Sequence, residues 1–434
     1  MIIKFKKAFK IYNDQGYYAL FIKLFSFLKD FILTLLISYP PFSSKNPSLL
    51  EKLLGILMIP IVVLLRIASK FIVIRFGRIF TGRIGHFAAD VDQYLIDINN
   101  QGFKSIDLFH FSDGFAANSF MKVLVKRYLR LGYFYRYLFI ANSFLPNSEK
   151  YILQNSYDKN GSRDCEDLYR NNPVQIEFTR SENKLGEDFL KSINCHNKRF
   201  VCLGIRDSAY LGKNDQDDYR DSNIDDYKKT SLSLAQKGYF VIRMGKVVEK
   251  EFNASSPMIF DYASSSKRSD FLDIWLAANC SFYISTSSGL DAVPEMFRRP
   301  IVFVNGPPVG TIRGSSHKHS IWQSKTYFRI DDNDPLSVLQ QIDEDLIYSL
   351  HGGEISKKGF KVKDNSPEEI REACLELEAK ISGTWNEQEI DKVLQRKLKE
   401  QLKTGGQFDK WSGKTNFSYS DSFLRKNESW FLRE

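Results

Sequence analysis

The stretch Ser285–Asn305, STSSGLDAVPEMFRRPIVFVN, decides the fold. FYIST reads as the end of an apolar strand. Small hydroxyl residues then form a tight loop, a helix begins at about Leu290, and PIVFVN makes a second strand. Strand, loop, helix and strand in that order build a parallel sheet. Ser285, Thr286, Ser287, Ser288 and Gly289 offer hydroxyls, backbone N–H groups and the positive end of a helix dipole, a seat suited to phosphate. Gly289 lets backbone and ligand approach closely. The same residues also serve as an ordinary serine-capped connection, so the rest of the chain must decide between the two.

Working outward, the alternation continues. RFVCLGIRD and YFVIRMG read as buried strands with charged or glycine ends, separated by a polar loop (Asn214–Asp226) and a helix (Asp225–Gly238). MIFDYA is a short strand, and Ser269 caps the helix DFLDIWLAAN. Beyond Asn305 come a Gly/Pro loop and the strand TYFRI. The first half repeats the theme: KFIVIRFGRI and SIDLFHFSD as strands, TGRIGHFAADVDQYLIDINN and FAANSFMKVLVKRYLRLG as turn and helix. The class is α/β, with two facing doubly wound, Rossmann-like domains. We place the first at 70–190 and the second at 197–350, with a linker near 180–197. A helical tail, 351–434, follows and docks back on the body.

Charge separates the remaining segment from this body. Residues 1–84 carry 13 Lys/Arg and 3 Asp/Glu, while the whole 434-residue chain is only +9. The body therefore has no basic excess of the kind nucleic acid requires. In residues 1–69 the apolar runs 18–38 and 53–65 are interrupted or short against the roughly 20 apolar residues of a spanning helix. They read as amphipathic helices lying on an anionic membrane, with Lys4, Lys6, Lys7, Lys10, Lys23 and Lys29 toward the headgroups. Packing on the protein body, or a span at 17–38 with snorkelling lysines, are the alternatives. The five cysteines are scattered and odd in number, as in a protein with reduced thiols, and the histidines lack metal spacing.

Chemistry-bearing residues fall at strand ends. Arg206 and Asp207 end one strand, Arg243 and Gly245 the next, and the 285–289 loop a third. On parallel strands these ends share one sheet edge, where two guanidiniums and a hydroxyl-rich loop suit a diphosphate. Each arginine can instead pair with a local carboxylate, Asp207 or Asp221. In the first half Arg83, Gly85, His86 and Asp90 follow one strand, while His110 and Asp113 end another. His86 is placed to act as a general base, with Asp113 acting beside it or orienting it.

Together, GRIGHFAADVDQYL, IRDSAYL, DDYRDSNIDDYKK, GYFVIRMGK, STSSGLDAVPEMFRRP and the terminal FLRKNESWFL resemble a group of bacterial glycosyltransferases of surface-polysaccharide and cell-envelope sugar biosynthesis. The resemblance runs from about Lys70 to the C-terminus. Gly289–Pro300 is also similar to the nucleotide-binding half of GT-B glycosyltransferases and of UDP-N-acetylglucosamine 2-epimerases. It implies that Ser287, Ser288 and Gly289 hold a donor diphosphate. One departure is that Ala292 and Val293 occupy the helix turn where those relatives carry a ribose-binding acid. The strand end GIRD is similar to that of GT-B fucosyltransferases and implies that Arg206 stabilises the leaving diphosphate.

The resulting expectation is a metal-independent, cofactor-free glycosyltransferase at the cytoplasmic face of the plasma membrane. Its partners are a nucleotide-sugar and a lipid-linked or surface-glycan acceptor. Arg206, His86 and Asp113 are the candidate catalytic residues. Arg243, Gly245 and the 285–289 loop bind the donor. An epimerase or hydrolase of the same fold, and a non-catalytic membrane-docked scaffold, are the competing functions.

Overall fold

The run VIRFGRI forms the first strand, β1 (Val73–Ile79), in a computed structural model that describes residues 47–196, 198–209, 220–331, 333–349 and 352–434. It joins β2 (Ser105–Phe111), β3 (Arg130–Leu131) and β4 (Ile152–Leu153) in a sheet of order β3-β2-β1-β4. β1 pairs with β4, and β2 with β3, in parallel. This sheet belongs to the first of two units, made of the described residues up to Arg78 with Ser105–Phe115 and Arg130–Leu153.

Two helices, Leu49–Ala68 and Phe134–Ser143, complete that unit. Ser48 opens the first with a capping box to Glu51. A Cβ on Gly55 would stand 2.5 Å from Ile140 Cγ2, so the two helices approach as only glycine allows. Leu54, Met58 and Val62 bury against Tyr137, Leu138 and Ala141, with Phe76 and Leu108 from the sheet. A buried ion pair, Arg136 Nε to Glu51 Oε1 at 2.5 Å, closes the seam. The opposite face of Leu49–Ala68 leaves Leu53, Leu57 and Leu64 exposed. Among the described residues no helix is long and apolar enough to cross a membrane. The run at 18–38, the alternative span there and the lysines from Lys4 to Lys29 lie outside the described residues.

The second unit comprises Ile79–Lys104, Ala116–Leu129 and Gln154–Glu434. Its sheet holds β5 (Phe200–Gly204), β6 (Phe240–Arg243), β7 (Ile259–Asp261), β8 (Phe282–Ser285), β9 (Ile301–Gly306) and β10 (Ile321–Ser324). The order is β10-β9-β8-β5-β6-β7, every pair parallel. From β5 the chain winds one way through β6 and β7, then returns to β8 on the other side and winds outward. That is the connectivity of a doubly wound sheet, with its switch point between β5 and β8. β5 is buried at every position, as a strand covered on both faces must be. All five thiols are free.

Three boundaries differ from the sequence reading. Residues 180–192, expected in a linker, form a helix that opens on a Thr179/Glu182 capping box. Its Asn183 side chain accepts from Trp275 Nε1 at 3.1 Å, tying it to the helix Asp270–Asn279. Pro367–Ser382, expected in the tail, supplies Ile370, Ala373, Cys374 and Leu377 to the core beneath the sheet. TYFRI does not extend the sheet. It is β11 (Thr326–Arg329), paired antiparallel with β12 (Phe360–Lys363). The terminal helix Asp421–Phe431 is anchored where buried Glu376 accepts from Ser420 Oγ and from the N–H groups of Asp421 and Ser422.

Candidate functional site

Adjacent strand ends build the site. β8, β5 and β6 lie side by side, so the segments after Ser285, Gly204 and Arg243 emerge at one edge. The link between the first two is direct: Arg206 N donates to Thr286 Oγ1 at 3.1 Å. Arg206 thus stands at the switch point, its Nε 3.1 Å from Asp221 Oδ1. The segment bearing Asp221 is fixed in turn. Ser222 N donates to the Arg206 carbonyl, and Lys325 Nζ donates to the Asp221 carbonyl. The carboxylate pairing weighed from sequence is therefore present at Arg206, with the guanidinium still at the switch point. Residues 214–219 of that polar loop lie outside the described residues.

The five loop residues divide into two groups. Ser285 and Thr286 are fully buried and spend their hydroxyls inside the fold. Ser285 Oγ donates to Asp291 Oδ2 at 2.9 Å and accepts from Ser287 N at 2.9 Å. They shape the loop. Ser287 (φ 62°), Ser288 and Gly289 are the part that reaches the surface. The helix expected from Leu290 is also different: a 3-10 turn, Gly289–Asp291, precedes a helix of only five residues, Ala292–Met296. So short a helix adds little dipole, and any anion seat here rests on the backbone and hydroxyls of Ser287–Gly289.

Arg243 departs from the expectation of a ligand contact. Its side chain has 0% exposure. Nη1 donates to the Lys250 carbonyl at 2.6 Å and to Asp261 Oδ2 at 3.2 Å, and Nη2 lies 3.6 Å from Asp207 Oδ2. A guanidinium held this way fixes the loops after β6 and β5. Gly245 is half-buried at the same end, where a Cβ would stand 2.7 Å from Val248 Cγ1.

Asp291 and Glu295, the nearest acids in the helix turn, are both buried. Burial first, then the neighbouring Glu295 charge, pushes the Asp291 carboxyl up to about 7. Burial likewise raises Glu295, with Arg313 opposing it from 3.8 Å. Neither acid reaches the surface in the way a ribose contact requires.

His86 lies within the same unit, in the first turn of the helix Ile84–Asn100. That helix start meets the 285–289 loop: a Cβ on Gly85 would stand 3.0 Å from the Gly289 carbonyl oxygen. His86 Nδ1 is 3.0 Å from Ser162 Oγ, which donates to Asp90 Oδ1 at 2.9 Å. Asp90 is one helical turn after His86, so its place is legible in the spacing. Ser162, held at a left-handed φ of 62°, was not singled out, and no local signal marks it.

Asp113 belongs to the first unit, in the turn after β2, where Ser112 Oγ donates to it at 2.8 Å. His110 is a core residue of that unit. Its Nδ1 faces the Phe111 carbonyl, its ring meets Phe139 edge to face, and burial lowers its pKa to about 3.

No family model and no curated protein matches the chain. Among solved structures, ADP-heptose LPS heptosyltransferase II of E. coli is similar at 11% identity, covering 54% of this chain and 85% of that one, with a TM-score of 0.35. A glycosyl transferase family 9 protein of Veillonella parvula is similar at 10% identity, covering 55% and 82%, with a TM-score of 0.38. At such scores the fold rests on the strand order itself.

Proposed function

We propose that the chain is a glycosyltransferase that moves a sugar from a nucleotide-sugar to a glycan acceptor, lipid-linked or on a surface polysaccharide. The observation that carries this reading is the switch point between β5 and β8. There the Arg206 backbone N–H bonds Thr286, the residue before Ser287–Gly289, and doubly wound sheets bind nucleotides at that place. The acceptor oxygen forms a bond to the sugar's anomeric carbon as the bond to the diphosphate breaks. Negative charge grows on the departing diphosphate. Arg206, with the N–H groups of Ser287–Gly289, neutralises it without a metal. His86, next to Gly85 and hence to Gly289, takes the acceptor proton if the reaction inverts, with Asp113 as the second candidate. Arg243 acts through the loops it fixes. The reaction takes place at the cytoplasmic face of the membrane, on which the basic N-terminal segment lies.

A thermal-shift panel of nucleotides and nucleotide-sugars, run beside Ser288→Trp, tests the donor site. A nucleotide that raises Tm in the native protein and not in the variant supports it. No shift with any member of the panel counts against it.

A further inference from the structure

We infer that Ser162 and Asp90 are positioning residues that hold His86 as the Nδ1–H tautomer, leaving Nε2 as its basic nitrogen. This rests on the reading of His86 as the acceptor base but is argued from hydrogen bonds alone. Asp90 is buried, and its carboxylate can only accept. It takes Ser162 Oγ–H at 2.9 Å and Ser156 Oγ–H at 2.6 Å on one oxygen, and Phe80 N–H at 3.3 Å on the other. With Asp90 ionised, the proton between the two oxygens, 2.9 Å apart, is Ser162's.

Ser162 then has no proton left for His86. Its Oγ, 3.0 Å from Nδ1, must accept, so the ring proton sits on Nδ1. The ring orientation is fixed as well, by the edge-to-face contact with Phe80 at 5.1 Å between ring centres. A neutral imidazole protonated on Nδ1 is basic at Nε2. When Nε2 takes a proton, the new positive charge is one hydroxyl away from a buried carboxylate, which stabilises it. A carboxylate thus orients the base as in a hydrolase triad, with a serine hydroxyl interposed.

Long-range proton–nitrogen NMR of the full-length chain, with ¹⁵N-labelled histidine and observed above the histidine titration range, reads the tautomer directly. His86→Gln identifies the His86 signals among six histidines. The native protein is expected to show His86 protonated on Nδ1. Ser162→Gly removes the hydroxyl while suiting the left-handed backbone, and Asp90→Asn removes the charge. Each should shift the tautomer ratio toward Nε2–H by about fivefold to tenfold, the weight of one ordinary hydrogen bond. A native His86 protonated on Nε2 overturns the inference even if neither variant folds. So does an unchanged ratio in Ser162→Gly. An Nδ1–H signal that both variants lose, in a protein that binds no nucleotide-sugar, upholds the relay and removes the transfer reading instead.

Discussion

Asp291 is a carboxyl placed inside the fold to hold a loop, and its ionisation is coupled to stability. Its folded value, about 7, lies above the ordinary 3.8, so the folded protein binds the proton more tightly than the unfolded chain. The stabilisation is full below about 3.8 and is lost as pH rises to about 7. Glu295, raised by burial, works in the same direction. Asp291→Asn keeps an acceptor for Ser285 Oγ and removes the titration. Urea midpoints from pH 4 to 8 should show the native protein losing stability as pH rises. The variant should have a flatter profile, recovering about 1–2 kcal/mol at pH 8, since one pKa unit is worth about 1.4 kcal/mol. Arg206 makes a different prediction, because its role is exercised only with substrate. Arg206→Ala should lower kcat about 100- to 1000-fold in protein that still folds with a lowered Tm, whereas Asp221→Asn, which removes the carboxylate charge from the ion pair, should keep turnover. Equal losses in the two variants would make the pair, rather than the guanidinium, the functional element.

Where the helix Ile84–Asn100 begins, two glycines let two elements meet. Cβ on Gly85 would lie 3.0 Å from the Gly289 carbonyl oxygen and 3.1 Å from its Cα. Both neighbours are backbone, so Gly85→Ala forces the helix start and the 285–289 loop apart. A cost of about 1–3 kcal/mol follows from overpacking, seen as a lower urea midpoint. Nucleotide stabilisation should weaken with it, and undiminished stabilisation would show that the loop does not need this contact. The strands flanking that loop were readable because buried parallel strands are short, unbroken apolar runs ending at turns. The helix after the loop was less so. Pro294 and the left-handed Arg298 confine it to five residues. Arg206 was legible from its place at a strand end. Arg243 had the same signature, and only the surrounding carboxylates, Asp207 and Asp261, separate a buried clamp from a ligand contact. Ser162 was invisible because its partner His86 is 76 residues away.

Over the whole molecule, the unevenness of charge and apolar surface argues for a membrane-bound enzyme, the part of the proposal that rests least on the site. The helix Leu49–Ala68 buries one face and leaves Leu64 at 66% and Leu53 at 52% exposure on the other. Residues 1–84, which include it, hold 13 Lys/Arg against 3 Asp/Glu. Apolar insertion joined to attraction by anionic headgroups binds a bilayer surface without spanning it. Full-length protein should therefore co-sediment with vesicles containing phosphatidylglycerol and not with purely zwitterionic ones, and about 0.5 M salt should weaken the binding. Leu57→Glu with Leu64→Glu leaves the buried face of Leu54, Met58 and Val62 intact and puts two charges on the outer face. That variant should keep the native Tm and lose vesicle binding several-fold. Undiminished binding would move the anchor to the segment before Leu49. Equal binding to both vesicle types would remove the electrostatic half of the argument.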